Sequence, residues 1–317
     1  MTTTAERTPP VGLDQVSRLG DRVFGSLSRG AGVLILVTLA AVATFLVSEA
    51  LPAFTNDLTE LEGDRTLGEY VVPLIFGTIW AAGLALLIAT PMAVAVALFL
   101  SHYAPKKVAA TLGYFVDLLA AIPSVVYGLW GIFVLAPLLG THVYPWLEDN
   151  AGFVPLFKGP AAASGRTMLT VALVLAVMIL PIITAISREV FMQTPRLHEE
   201  ASLALGATRW EMIQQAVIPY GRAGVISGAM LGLGRALGET MAVAIILSPT
   251  EGLISTNLVS VSNPNTIAAN IALKFPESHG LEVNRLIASG LILFGITFIV
   301  NFSARRIANA GFSGAAG

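Results

Sequence analysis

Arg235 and Glu239 stand four residues apart in a run that is otherwise apolar or small, Gly232-Leu233-Gly234-Arg235-Ala236-Leu237-Gly238-Glu239-Thr240-Met241. A charge at the centre of a bilayer costs about 2.5 to 3.5 kcal/mol on insertion scales, so two in one apolar segment need a reason. On an uninterrupted helix this spacing predicts that both project from one face, which must look into protein or water. Arginine precedes glutamate, the weaker order for a helical ion pair, so local pairing is a poor justification by itself. A guanidinium keeps its proton when partly desolvated and offers two parallel donors, which suits an oxyanion such as phosphate. Beside such an anion Glu239 has two chemical uses. It can neutralise and orient Arg235 while the path is empty, or it can accept a hydrogen bond from the protonated oxygen of hydrogenphosphate. A purely structural use, an ion pair fixing helix packing or subunit register, stays open beside both. Gly228, Gly232, Gly234 and Gly238 remove side-chain bulk around the pair, which permits close helix packing or leaves room for a small solute.

The elements that must position these residues are membrane helices. Of the 317 residues 55% are hydrophobic and 12% charged, against about 25% charged in an ordinary soluble domain, and the mean hydropathy is +0.77. About 20 mainly apolar residues are needed to cross the hydrocarbon core with every backbone group paired internally. Six segments meet that requirement, near residues 30–52, 71–101, 108–140, 167–188, 222–248 and 285–304. Pro91 and Pro123 fall inside the second and third, which are therefore expected to kink, break or lie partly outside the core. The fold class expected is an all-α polytopic bundle.

Lys and Arg set the expected orientation, because short loops rich in them stay cytoplasmic. With the N-terminus inside, the inner set runs from Arg7 to Arg29 and adds Lys106, Lys107, Arg188 to Arg222, Arg305 and Arg306. Arg65, Lys158, Arg166, Lys274 and Arg285 fall outside, and Arg235 alone lies well within a span. Both termini are thus expected in the cytoplasm, with 1–29 and 307–317 flanking a six-span domain over 30–306. The first outer loop, 56–70, carries Asp57, Glu60, Glu62, Asp64 and Glu69 and reads as a solvated connector. The first thirty residues are polar and mixed in charge, so no removable signal peptide is expected there.

Other chemistries find little support. With no cysteine, disulfides, thiolate metal sites and a cysteine nucleophile are excluded. The four histidines are scattered, and His198-Glu199 lacks the second histidine of a zinc helix. No Gly-Lys-Ser or Gly-Lys-Thr triplet occurs, so any ATP hydrolysis belongs to a separate subunit. No cofactor bound by this chain is expected. An intramembrane protease or lipid phosphotransferase would need paired aspartates, a zinc helix or an activated serine.

The segment from Glu189 to Tyr220 reads as a pair of short amphipathic helices. Pro195 suits a first turn, Gly206 a sharp bend, and Thr208 a cap for a second helix through Arg209, Trp210, Glu211 and Met212. An ordinary surface hairpin would look the same. Two weaker candidates lie in the third segment: Asp117, six residues before Pro123, near the inner end of that span, and Ser124, beside amides that the proline frees.

Glu200, Ala201, Gly206 and Pro219 resemble the glutamate-alanine-alanine loop of ABC importer permeases, with the glycine six and the proline nineteen positions after the glutamate. Ser202, Ala216 and Ile218 depart from that pattern by small or apolar substitutes. The stretch from Gly234 to Val243, with Ala121-Ile122-Pro123-Ser124-Val125-Val126-Tyr127-Gly128, narrows the resemblance to PstC-type permeases of phosphate-specific ABC importers. The PstA-type sister permeases carry related motifs, but the long N-terminal region and Ser-Val-Val-Tyr-Gly favour the PstC type. The resemblance covers about residues 70–306 and implies a six-span type I importer fold in a prokaryotic inner or plasma membrane. It implies a path through Arg235 and Glu239 and a helix within 196–219 that seats in a cytoplasmic ATPase. The partners it implies are a PstA-type permease, a PstB-type ATPase dimer and an external PstS-type phosphate-binding protein. A sulfate or molybdate permease and a non-transporting membrane sensor are the rival readings.

Overall fold

The computed structural model describes residues 19–55 and 66–313. Ten helices are used below: α1 Leu19–Thr55, α2 Leu67–Tyr103, α3 Lys106–Ala120, α4 Ser124–Ala151, α5 Met168–Met192, α6 Arg196–Ala204, α7 Arg209–Leu237, α8 Met241–Ile246, α9 Ile267–Lys274 and α10 Leu281–Ser313. Six of them, α1, α2, α4, α5, α7 and α10, are long and apolar enough to cross a membrane. Among the described residues extended pairing is confined to two isolated bridges, Ala161 with Ser260 and Pro249 with Asn263.

The chain divides into two compact units, Met1–Glu49 and Ala50–Gly317. In the first, the described side chains of α1 are almost all exposed. In the second, α5 is the most enclosed span, and small residues bring its neighbours close. Ala81, Ala85, Ala89, Ala93 and Ala97 recur every fourth residue of α2 and are buried. The first four share a cluster with Val171, Leu175, Ile179 and Ile183 of α5. α7 in turn presents Gly221, Gly224, Gly228 and Gly232, where an added Cβ would meet Phe191, Val190, Ile186 and Ile183 of α5. Residues without bulk at a spacing of three to four let two backbones approach closely, which is how membrane helices gain dispersion energy when lipid supplies no hydrophobic drive.

Four turns are wound wider than the rest, with bonds to the fifth residue back: Phe99–Tyr103, Gly131–Leu135, Leu139–Val143 and Ile213–Val217. Each ends two residues before a proline, Pro105, Pro137, Pro145 or Pro219. Proline lacks an N–H and its ring crowds the carbonyl four residues back; at Pro137, Pro145 and Pro219, which stay in the helix, widening the preceding turn relieves both faults, whereas Pro105 follows the end of its helix and caps α3. Pro73, Pro91 and Pro181 sit in α-helix without that device, so α2 continues through Pro91 where a break was one expectation.

Two expected spans are differently cut. The third does not run over 108–140: α3 ends at Ala120, and α4 starts afresh at Ser124. Proline keeps the residue before it out of the helical region, so Ile122-Pro123 divides the segment. Asp117 consequently lies on α3, exposed and outside the span. Gly113 of α3 faces the guanidinium of Arg188 at the end of α5, where a side chain would collide. The fifth span begins earlier than residue 222 and stops at Leu237, with α8 a separate short helix. The acidic residues Asp57, Glu60, Glu62 and Asp64, together with 1–18 and 314–317 of the expected tails, lie outside the described residues.

Candidate functional site

The interruption in the fifth span places the two candidate charges. Gly232, Gly234 and Gly238 each lower helix propensity by about 1 kcal/mol relative to alanine, and α7 ends with Gly238 as its cap. The amide of Glu239 still donates to Ala236 O at 3.3 Å, and the next helical bond runs from Ala244 N to Thr240 O. Arg235 and Glu239 are therefore not on one continuous helix face. Glu239 is 8% exposed and its Oε1 accepts from the amide of Ala242 at 3.0 Å, capping α8 from its N-terminal side. Among the described residues no ion pair joins Arg235 to Glu239; the ion pairs recorded there are His102–Glu199, Lys274–Glu251 and Arg285–Glu282. The expected helical pair is thus replaced by a cap.

Unpaired amides and carbonyls in hydrocarbon cost several kcal/mol each, so both ends of α8 need partners. At its C-terminal end Arg166 supplies them, Nε donating to Ile246 O at 3.1 Å and Nη2 to Leu247 O at 3.4 Å. A carboxylate at the start and a guanidinium at the end both have the sign that the helix dipole favours. The apolar side of α8 rests on α4 at two glycines. A Cβ on Gly128 would lie 3.0 Å from Ala242 Cα, and one on Gly131 would lie 2.6 Å from Ile246 Cδ1.

Arg235 is half-buried in the last turn of α7. Tyr127, in the first turns of α4, donates its hydroxyl to Leu119 O at 2.8 Å, across the chain break at Pro123. The packing of Gly128 on Ala242 sets that part of α4 against α8, next to the break at Gly238–Thr240. Ser124 opens α4 and is half-buried; Asp117 is on the exposed part of α3. Of the glycines near the pair, Gly228 and Gly232 are filled by α5, whereas a Cβ on Gly234 would meet nothing within 4 Å and one on Gly238 only Gly234 O at 3.7 Å. Packing accounts for the first two, open space for the others. Arg166, Tyr127 and Asn263 complete the surroundings and carried no sequence signal of that role: Arg166 read only as an outer charge.

The loop between α5 and α7 has the helix, bend, helix form expected. Pro195 caps α6 rather than entering its first turn. Gly206 takes φ +91°, with its amide donating to Leu203 O and that of Ala207 to Ser202 O, a left-handed helix stop that suits glycine. Thr208 and Glu211 form a reciprocal capping box: Thr208 N donates to Glu211 Oε2 at 2.7 Å, and Glu211 N to Thr208 Oγ1 at 3.3 Å. The second helix then runs without interruption into the membrane as α7. Glu200, Ala201, Gly206 and Pro219 are all exposed. Leu205 is 91% exposed. Two side-chain contacts tie α6 to the bundle: His102 Nε2 lies 3.4 Å from Glu199 Oε1, and Ser202 Oγ donates to Gln215 Oε1 at 3.3 Å.

A family model described as binding-protein-dependent transport system inner membrane component matches residues 89–310. The chain belongs to that family. Among its relatives is the phosphate transport system permease protein PstC 2 of Mycobacterium bovis, 43% identical over 94% of each chain. The PstC protein of Mycobacterium leprae is 42% identical over 97% of this chain and 99% of its own. That of Mesorhizobium japonicum is 41% identical over 90% and 89%. Among solved structures, a chain of a bacterial alginate ABC transporter in complex with a pentasaccharide-bound periplasmic protein superposes with a TM-score of 0.58 over 92% of this chain and 99% of that one, at 18% identity. A MetNI methionine ABC transporter chain gives 0.52 over 76% and 96%, at 15% identity. These two establish the fold, that of a type I ABC importer permease. As a family member the chain is a multi-pass membrane component of a transport system, and the matched span contains the loop, both chain breaks and both charges.

Proposed function

We propose that this permease conducts inorganic phosphate in an ATP-driven importer, with Arg235 as the cation that meets the ion in passage. The observation that carries the assignment is Arg235 itself: half-buried at the end of an interrupted span, beside the open space at Gly234, and with no carboxylate paired to it among the described residues. The naming of relatives at 41 to 43% identity as phosphate permeases favours the cargo. Glu239 holds α8 through one carboxylate oxygen and can offer the other to the protonated oxygen of hydrogenphosphate. Ser124 and Asp117 are subsidiary candidates, Asp117 the weaker because it is exposed.

The exposed surface of 196–219, with Glu200, Ala201, Gly206 and Pro219, seats in the ATPase. ATP is hydrolysed there and not on this chain, which binds no cofactor. The partners are a PstA-type permease, a PstB-type ATPase dimer and a PstS-type binding protein on the outer side. The membrane is a prokaryotic inner or plasma membrane, with both chain termini cytoplasmic. Movement of the ATPases rocks the two permeases and exposes Arg235 first outward, then inward. Binding along the path stays weak enough for release.

The test is uptake of labelled inorganic phosphate by the assembled complex in vesicles. Replacing a charge-assisted donor, worth roughly 1.5 to 3 kcal/mol, predicts that Arg235→Gln slows uptake by at least about tenfold. Normal uptake by a correctly assembled Arg235→Gln complex would remove this site. Stronger competition by sulfate or molybdate than by unlabelled phosphate would reassign the cargo.

A further inference from the structure

Six residues of helix rise only about 9 Å, so whatever fixes one end of α8 sets where the other end lies. At the start stands Glu239, and at the finish Arg166, the one described side chain recorded as donating to Ile246 O and Leu247 O. Arg166 is itself tied down. Its carbonyl accepts from Asn263 Nδ2 at 3.1 Å, and the same amide group donates to Ser248 O at 3.3 Å. Asn263 is wholly buried, and its Oδ1 accepts from the amide of Met168 at 2.9 Å, in the first turn of α5. The last carbonyls of α8 are thus fastened, through one guanidinium and one buried amide, to the most enclosed span of the bundle.

We propose that Arg166 is a positioning residue for the path: its guanidinium keeps α8 seated on Gly128 and Gly131, and through that short rod keeps Glu239 at the interruption. Arg166 touches neither Arg235 nor Glu239, and its influence on transport rests on the assignment of the path above. The seating of α8 does not, and it can be measured separately.

The absence of any cysteine makes a single introduced thiol a clean reporter. Val243 of α8 is 1% exposed, so Val243→Cys fits the space and reacts with N-ethylmaleimide only when α8 leaves its seat. In the assembled complex, Arg166→Gln is expected to speed that reaction about tenfold, the factor by which losing a charge-assisted hydrogen bond shifts an opening equilibrium. Arg166→Lys, which keeps the charge but not the fork, is expected to fall between. Lys107→Cys on α3, exposed and outside both the path and the coupling loop, is expected to react equally fast in all three backgrounds. Maximal phosphate uptake should fall in the same order as labelling rises. An unchanged Val243→Cys rate with Arg166→Gln, or a parallel rise at Lys107→Cys, overturns the proposal. Should Arg166→Gln fail to assemble, Arg166→Lys decides, and a wild-type rate there overturns it equally. Failure of the phosphate assignment has a different signature, undiminished uptake with Arg235→Gln, on which the labelling does not depend.

Discussion

The loop between α5 and α7 and the interruption between α7 and α8 both turn the chain sharply within a few residues, by opposite means. In the loop the partners are close in sequence: Thr208 with Glu211, Gly206 with Leu203, Ala207 with Ser202. At the interruption Glu239 also bonds near neighbours, Ala236 and Ala242, but the short helix it opens is held from far away: Arg166 reaches Ile246 and Leu247 from 80 and 81 residues back, and the seat is made by Gly128 and Gly131. The loop is largely exposed, so water can take up a lost bond. Glu239 and Leu247, at the two ends of α8, are buried, and a bond lost there leaves an unsatisfied group. A locally coded turn tolerates damage locally, while a turn coded by distant partners passes damage along the bundle.

That contrast can be broken by substitution, beginning where the largest effect is expected. Gly131→Leu forces a side chain into space occupied by Ile246 and Val174; overpacking costs about 1 to 3 kcal/mol. It should lower the thermal midpoint of the purified complex and abolish uptake. Glu239→Ala leaves the Ala242 amide unpaired in apolar surroundings, a loss of about 1 to 3 kcal/mol. Glu239→Gln retains an acceptor, so the midpoint should recover with Gln while uptake stays low; equal uptake for Gln and wild type would reduce Glu239 to a cap. Gly206→Ala puts a side chain in the left-handed region at about 1 to 2 kcal/mol and should weaken ATP-driven uptake without raising Val243→Cys reactivity. Thr208→Ala removes half of the capping box, about 1 kcal/mol in exposed surroundings, and should show only as a modest fall in ATPase stimulation. If either loop substitution loosened α8, the two regions would not be independent.

The same contrast explains what could be read from sequence. Helix, bend, helix in the loop follows from Pro195, Gly206 and Thr208, whose side chains or backbone freedom act on neighbours within three residues. The membrane spans follow from apolar run length. Their ends at Pro123 and Gly238 do not, because an apolar run looks alike whether it is one helix or two, and the fifth span was expected to continue to residue 248. Arg235 and Glu239 stand out because charges in lipid are costly, yet the short helix that Glu239 caps is held by Arg166 and seated on Gly128, which no local pattern connects to it. Asp117 was misplaced for a related reason: hydropathy carried the span across Pro123, and the proline divided it.

The alanine column of α2 and the glycine column of α7 have one more consequence. Neither residue has a χ angle, so ordering those two faces carries no side-chain entropy. α5 supplies the bulk on its side, with Phe191, Val190, Ile186 and Ile183 set into the notches of the glycine column and Thr184 Oγ1 donating to Ala93 O of the alanine column at 3.4 Å. α5 is therefore keyed in register against both neighbours, and Met168 at its start gives Asn263 an anchorage that cannot slide without unseating four side chains.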